Sequence, residues 1–362
     1  MLNVYKGRRI LVTGHTGFKG SWLTLWLKML GSKLLGYSLE PPTIPNLFSL
    51  LDLENKIEHV IGDIRDAEKL SSIVREFKPE IIFHLAAQPL VRFSYQEPKL
   101  TYETNIMGTI NLYEAVRQAE SVRAIITVTS DKCYENREWV YGYREFDSLG
   151  GYDPYSSSKG CVELITAAYR NSFFNNAGIA VASARAGNVI GGGDWGPDRL
   201  IPDCIRCLSK NEPIMLRNPQ ASRPWQFVLE PLSGYLLLGA LMLQDGTKYN
   251  SAWNFGPEDS SILTVEEIAR QVVENWGSGA YRCDSSEQPH EATLLKLDAS
   301  KAHFHLKWNP VYDIYRALEE TVRWYRFFYG KVDIEQIRAL TIEQIVVYKE
   351  AARKEKICWS ED

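Results

Sequence analysis

Arg9-Ile-Leu-Val-Thr-Gly14-His-Thr-Gly17-Phe-Lys-Gly20-Ser-Trp22 is the stretch that decides the fold. Arg9 to Thr13 reads as a short apolar strand, and Ser21 to Leu30 carries apolar residues at helical spacing. Between them Gly14, Gly17 and Gly20 recur every third residue. Glycines at a strand-to-helix turn let the backbone bend tightly and approach a pyrophosphate, which then rests on the helix N-terminus. Glycines also make plain turns. The strand before these and the helix after them favour a dinucleotide site.

Outward from this turn the pattern alternates. Lys33 to Ser38 reads as a second strand and Val60 to Asp63 as a third, with a helix to about Lys78. Ile81 to Leu85 is a fourth, followed by a helix near Leu100 to Gln118. Ala124 to Thr129 and Val181 to Arg185 are a fifth and sixth. Strands apolar on both faces that alternate with helices predict a Rossmann-like, doubly wound parallel sheet. After Gly187 the pattern loosens, and Pro202, Pro213, Pro219, Pro224 and Pro231 punctuate it. This predicts a smaller mixed α/β lobe over the carboxyl ends of the strands, where open α/β sheets bind ligands. The expected division is a dinucleotide-binding domain over 1–186, with a returning segment at about 224–256. A substrate-binding lobe would take 187–223 and 257–330, and a helical extension 331–362.

The 362 residues carry a formal net charge of -4 without long runs of either sign, which argues against nucleic acid as a partner. The longest apolar stretch, Gly234 to Leu243, is too short to span a bilayer, and the N-terminus lacks the apolar core of a signal peptide. A cytoplasmic protein is expected, and its six scattered cysteines fit a reducing compartment. Cys204 and Cys207 form a lone CxxC after Pro202. With no second pair to complete a zinc set, they read as two small residues on a helix, and no metal is expected.

The chemistry gathers in two short stretches. Ser130-Asp131-Lys132 follows the fifth strand, and Tyr155-Ser-Ser-Ser-Lys159 comes shortly after it. Residues four apart share a helix face, so Tyr155 and Lys159 would stand together. A phenol with pKa about 10 is only about 0.1% ionised at neutral pH. Lowering that pKa to about 7 takes roughly 4 kcal/mol of phenolate stabilisation, which a lysine and a cationic nicotinamide could share. Such a phenolate takes a proton from a sugar alcohol while the nicotinamide takes the hydride. Asp131 and Lys132 add an acid and a potential base that a simple dehydrogenase does not need. An ordinary ammonium is a poor base at neutral pH. Lys132 therefore either loses its proton through its surroundings or keeps its charge and stabilises an enolate. Glu40, just past the second strand, is a candidate for the ribose hydroxyls. No arginine follows that strand closely, which favours NAD over NADP.

The GxxGxxG spacing, His84-Leu-Ala-Ala87, Asp63-Ile64, and the Tyr155/Lys159 pair together resemble the extended short-chain dehydrogenase/reductase superfamily. Within it, Thr129-Ser-Asp-Lys-Cys-Tyr134 is similar to the Ser/Thr-Asp-Glu element of nucleotide-sugar 4,6-dehydratases, with lysine in place of the glutamate. That version resembles the branch acting on CDP-glucose. Arg185-Ala-Gly-Asn188, Gly191-Gly-Gly-Asp-Trp195, Arg223-Pro-Trp-Gln226 and His290-Glu291 agree with it.

The resemblance implies a hydro-lyase that oxidises carbon 4, eliminates water across carbons 5 and 6, and returns hydride to carbon 6, in deoxysugar and O-antigen synthesis. It implies Ser130, Asp131, Lys132, Tyr155 and Lys159 as catalytic. It implies NAD held by Gly14, His15, Thr16, Gly17, Phe18, Lys19, Gly20, Ser38, Glu40, Asp63 and Ile64. Leu85, Ala86, Ala87, Gln88, Thr104 and Arg185, with Tyr155 and Lys159, complete that set. For the nucleotide sugar it implies Ser94, Asn188, Arg199, Arg223 and His290, and for assembly a homodimer or homotetramer. A dTDP- or GDP-sugar dehydratase, a 4-epimerase and a non-catalytic nucleotide-sensing module are the alternatives. Asp131 and Lys132 count against the epimerase, and the intact Tyr155/Lys159 pair against the sensor.

Overall fold

The computed structural model describes residues 1–283, 294–330 and 333–361. Strands β1 (Arg9–Thr13), β2 (Lys33–Ser38), β3 (Glu58–Ile61), β4 (Ile81–His84), β5 (Ala124–Val128) and β6 (Ala180–Ala186) follow in chain order. After them come β7 (Asn188–Ile190), β8 (Ile214–Leu216), β9 (Ser222–Phe227), β10 (Ala252–Phe255), β11 (Ile262–Thr264) and β12 (Tyr281–Cys283). The first helices are α1 (Phe18–Met29), α2 (Leu47–Leu50), α3 (Ala67–Phe77), α4 (Val91–Gln96), α5 (Pro98–Tyr102) and α6 (Gly108–Arg117). The later ones are α7 (Pro154–Tyr169), α8 (Leu200–Ser209), α9 (Leu229–Asp245), α10 (Val265–Trp276), α11 (Ile314–Tyr329) and α12 (Ile334–Lys354).

One parallel sheet has the order β10-β6-β5-β4-β1-β2-β3. The connections run outward in both directions from the β1/β4 pair, and ligands bind such sheets outside the strand ends at that reversal. Its central strands β1, β4, β5 and β6 are short, largely apolar runs buried on both faces, because helices cover both sides, while edge strand β3 is only partly buried. The sequence places β10 far from β6, yet Ala252–Phe255 pairs in parallel with Ser183–Ala186 and adds a seventh strand. Beyond it, β7, β9 and β11 form a three-stranded sheet and β8 pairs with β12. These two small sheets make the mixed lobe.

Two differences from the sequence reading matter for the site. Helix α1 begins at Phe18, immediately after Gly17, so its N-terminus opens on the glycine turn. The single helix expected near Leu100 to Gln118 is α5 and α6 joined by a wider turn at Glu103–Met107. Cys204 lies buried on α8 and Cys207 partly buried beside it, as two small helical residues. Among the described residues no cluster of His, Cys, Asp or Glu could hold a metal ion, and no helix is long and apolar enough to cross a membrane.

The C-terminal helix reaches back to the first one. Tyr348 on α12 stacks on Trp359 with ring centroids 5.7 Å apart, and both meet the edge of Trp26 on α1. The Tyr348 hydroxyl donates at 2.7 Å to Glu230 on α9, whose carboxylate also accepts from the backbone N–H groups of Val311 and Tyr312.

Candidate active site

Gly14 has φ +76°, and a Cβ there would lie 2.7 Å from the amide nitrogen of Ala86. A Cβ at Gly20 would overlap the Gly14 carbonyl. These two glycines let the turn, β4 and α1 close on one another. Gly17 differs: a Cβ there would meet nothing nearer than 3.4 Å. The space over Gly17 is open, and the first amides of α1 lack a side-chain cap, which leaves donors for an anion. Thr16 Oγ1 binds Ser38 Oγ at 2.8 Å and donates to the Leu39 carbonyl at 2.9 Å, joining the turn to the end of β2. Exposed Glu40 follows. His15 lies buried beneath the turn against His59 at 2.7 Å, and burial lowers its pKa to about 3.

Asp63 stands at the end of β3 with its carboxylate gripped by Arg65 at 2.6 Å, while Ile64 packs on Gly108. Asp66 caps α3 by accepting from the Lys69 N–H at 3.0 Å, so Asp63 is free of that duty. Leu85 and Ala86 hang from Thr13 at the end of β1, with Ala87 following, and Thr104 lies half-buried on the turn between α5 and α6. His84 is a core histidine between Thr13 and Thr109.

Three residues placed at a ligand by resemblance have other partners here. The Gln88 side chain is taken up by Leu90 and Thr101. Ser94, fully buried, donates to the Val91 carbonyl at 2.7 Å and accepts the Tyr155 N–H at 3.1 Å. It thereby supports the main chain of Tyr155. Arg185 turns into the protein and pairs with Glu163 at 2.8 Å, both side chains nearly inaccessible. A buried guanidinium needs a carboxylate, and Glu163 supplies one where the glycine turn has none.

The reacting groups converge as the spacing predicts. Asp153 caps α7 by accepting from the Ser156 N–H at 2.9 Å, and Pro154 opens the helix. Tyr155 therefore stands in the first turn, where the positive end of the helix favours a phenolate. Ser130 caps the single turn Asp131–Cys133, accepting from the Lys132 N–H at 3.2 Å and donating to Asp131 Oδ1 at 2.8 Å. Burial pushes Tyr155 up to about 12, and a hydrogen bond with Ser130 and the charge of Arg199 pull it back. Lys159, expected to stabilise the phenolate together with a cationic nicotinamide, points its Nζ at the Val128 carbonyl, and burial together with Lys19 lowers its pKa to about 8. Lys19 is itself lowered to about 8 by burial and by Arg199, while Asp131 opposes the shift. Burial raises Asp131 above the ordinary carboxylate range, although Lys132 and Ser130 oppose it.

From the second lobe, Asn188 begins β7 with its Nδ2 buried and without a hydrogen-bond partner among the described residues. Arg199 is half-buried, forked onto Asp194 at 2.8 and 2.9 Å, and its charge reaches both Tyr155 and Lys19. Arg223 on β9 donates to its neighbour's carbonyl at 2.9 Å, and its charge reaches Asp131. His290 and Glu291 lie outside the described residues. The Gly191–Gly193 loop packs on α1 and α11: Trp22 donates to the Gly192 carbonyl at 2.9 Å, and Trp324 fills the space a Gly192 side chain would need.

Sequence reasoning missed Glu163 and Asp194. Glu163 lies four residues past Lys159, on the same buried helix face, and that spacing was its available signal.

A doubly wound sheet, a glycine turn and a Ser–Tyr–Lys centre joined to an Asp–Lys pair define an NAD-type short-chain oxidoreductase scaffold adapted for elimination. The family model described as GDP-mannose 4,6 dehydratase matches residues 11–321, and the chain belongs to that family. It is 53% identical over 330 residues to the CDP-glucose 4,6-dehydratase of Salmonella typhimurium, covering 90% of this chain and 92% of that one. The dTDP-glucose 4,6-dehydratase of Xanthomonas campestris is 26% identical, covering 87% of this chain and 92% of its own. Among solved structures, a dTDP-glucose 4,6-dehydratase from Streptomyces venezuelae with NAD bound superposes with a TM-score of 0.77. It is 25% identical, with 89% of this chain and 98% of that one covered.

Proposed function

We propose that this chain is an NAD-dependent hydro-lyase that converts CDP-glucose to CDP-4-keto-6-deoxyglucose and water. The observation that carries the reading is the Ser130–Cys133 turn, which presents a buried acid and a lysine beside Tyr155 and Lys159. The likeness to the Salmonella enzyme supports cytidine as the base. The open space over Gly17 and the uncapped amides of α1 fit a pyrophosphate, and Thr16, Ser38 and Glu40 stand where a ribose would follow. We assign the dinucleotide to residues 1–186 with about 228–256, and the nucleotide sugar to 187–227 and 257–330, since β9 pairs with β7 and β11. Residues 333–361 form a helical extension.

Tyr155, hydrogen-bonded by Ser130, takes the proton of the carbon-4 hydroxyl. NAD, when bound, supplies reversible hydride acceptance and a positive ring that draws Tyr155 toward the phenolate. Lys159 keeps a cation at the same helix face. With carbon 4 a ketone, the carbon-5 hydrogen is acidic. Lys132 removes it or stabilises the resulting enolate by its charge. Asp131, whose pKa burial raises, acts as the acid that donates to the departing carbon-6 hydroxyl, and water leaves. A proton then returns to carbon 5 and the hydride to carbon 6, so no net oxidation occurs. Asn188, Arg199 and Arg223 hold the nucleoside diphosphate, arginine being suited to bidentate contact with phosphate. The unpartnered Asn188 amide supports this placement.

The six free cysteines support a reducing, cytoplasmic location. Exposed Leu164 on α7, with Tyr102 and Met107 just before α6, supports pairing of two copies through these helices, singly or as a dimer of dimers.

The test is incubation with CDP-, dTDP-, UDP- and GDP-glucose plus NAD in deuterated water. The expected result is one deuterium at carbon 5 of the product, turnover with CDP-glucose, and no build-up of reduced cofactor. Equal turnover of dTDP-glucose would overturn the assignment of the base. Stoichiometric release of reduced cofactor would overturn the dehydratase reading.

A further inference from the structure

Resting on that reading, we propose that the buried Glu163–Arg185–Tyr134 network positions the Asp131/Lys132 pair for the elimination half of the reaction. Thr129 immediately precedes the reactive turn, and its Oγ1 donates to Glu163 Oε1 at 2.5 Å. Tyr134 immediately follows the turn, and its hydroxyl accepts from Arg185 Nη1 at 2.5 Å and donates to Asn254 Oδ1 at 2.8 Å. Arg185 Nη2 and Ser183 Oγ complete the arrangement by donating to Glu163 Oε2 at 2.8 and 2.6 Å. Both shoulders of the turn are thus fastened to one ion pair, which bridges α7 and β6. The charge-assisted bonds make this a stiff mount.

Tyr155 shares Ser130 with the turn, but its main chain is held by separate means. Its backbone N–H binds Ser94, and the start of its helix is fixed by Asp153. Loosening the mount therefore shifts Asp131 and Lys132 against carbons 5 and 6 more than it shifts Tyr155, whose main chain keeps its own anchors. A displacement of about 1 Å costs on the order of a hundredfold in rate.

Tyr134→Phe removes the hydroxyl that ties the far shoulder to Arg185, and Thr129→Val releases the near shoulder from Glu163. In each variant we expect dehydration of CDP-glucose to fall about ten- to a hundredfold. KM should stay within about threefold, and carbon-5 deuterium exchange should fall in step with dehydration. Reduced cofactor should accumulate on the enzyme during turnover, because oxidation outruns elimination; the wild type should show none. In the cofactor-free protein, amide hydrogen exchange should rise over residues 129–134 and not over the start of α7. If one variant fails to fold, the other still decides. Equal loss of oxidation and dehydration without accumulated reduced cofactor would overturn the proposal, as would wild-type rates in both variants. A wild type that dehydrates no nucleotide sugar would instead overturn the underlying function.

Discussion

Two sets of buried charges meet across the Ser130–Cys133 turn, and they are built in opposite ways. Behind it, Glu163 accepts from Arg185, Ser183 and Thr129, and Arg185 binds Tyr134 as well. Burial opposes the charge on each member of this pair, but the pairing wins: the Glu163 pKa is lowered and that of Arg185 raised. In front, Lys19 and Lys159 are pushed down, Asp131 is pushed up, and Tyr155 stands near 12. Pairing in the closed set favours the charged forms, while burial in the open set displaces each pKa toward the neutral form. Saturated charge fixes geometry, and unsatisfied charge is available for proton transfer.

The sharpest way to separate the sets is to remove one member of each. Tyr155→Phe should lower kcat by about a thousandfold, with thermal unfolding within a few degrees of wild type. A large loss of stability in that variant would show the open set to be structural. Conversely, Arg185→Ala leaves the Glu163 carboxylate buried and unpaired, which costs about 3–5 kcal/mol. Urea unfolding should report it, and a cost below about 1 kcal/mol would mean that solvent reaches the pair.

Glu230 offers a smaller effect in the same frame. Like Glu163 it is a buried glutamate, but its partners are the Tyr348 hydroxyl and two backbone N–H groups, and burial raises it to about 7. Its folded pKa lies above its unfolded one, so the native state holds the proton between about 4.5 and 7. The associated stability is present at low pH and is lost as pH rises through 7. Melting temperatures from pH 5 to pH 8 should fall in wild type, with this component missing in Glu230→Gln. The smallest contrast comes from Lys159, lowered from 10.5 to about 8. In the free enzyme kcat/KM should decline above about pH 8 as the ammonium is lost. Over pH 8 to 10.5 the unfolded chain keeps the proton that the native one has released, so this group makes stability rise. A pH profile set beside a denaturation series should show the opposite slopes.

Local pattern made the sheet, the glycine turn and the Tyr155/Lys159 pair legible, because each depends on residues near in sequence. Strand β10 was not legible as the seventh strand, since its partner β6 lies about 70 residues earlier. The resemblance placed Gln88, Ser94 and Arg185 at ligands, but their hydrogen bonds are taken by Thr101, Val91 and Glu163. A polar side chain states what it can bind; only the tertiary arrangement decides what it does bind. Lys19 is the complementary case. It was expected at the cofactor from its place in the turn, and the fold also brings its charge to Asp131 and Lys159.

Trp26, on the helix that rises from the glycine turn, finds two of its ring neighbours in Tyr348 and Trp359, more than 300 residues later. A ribosome makes the first strand, turn and helix more than 300 residues before these partners. Until then the back of α1 lacks part of its packing, even though the whole parallel sheet has already been synthesised. The nascent chain thus holds every strand of the parallel sheet before the aromatic residues that complete the support of α1 have emerged.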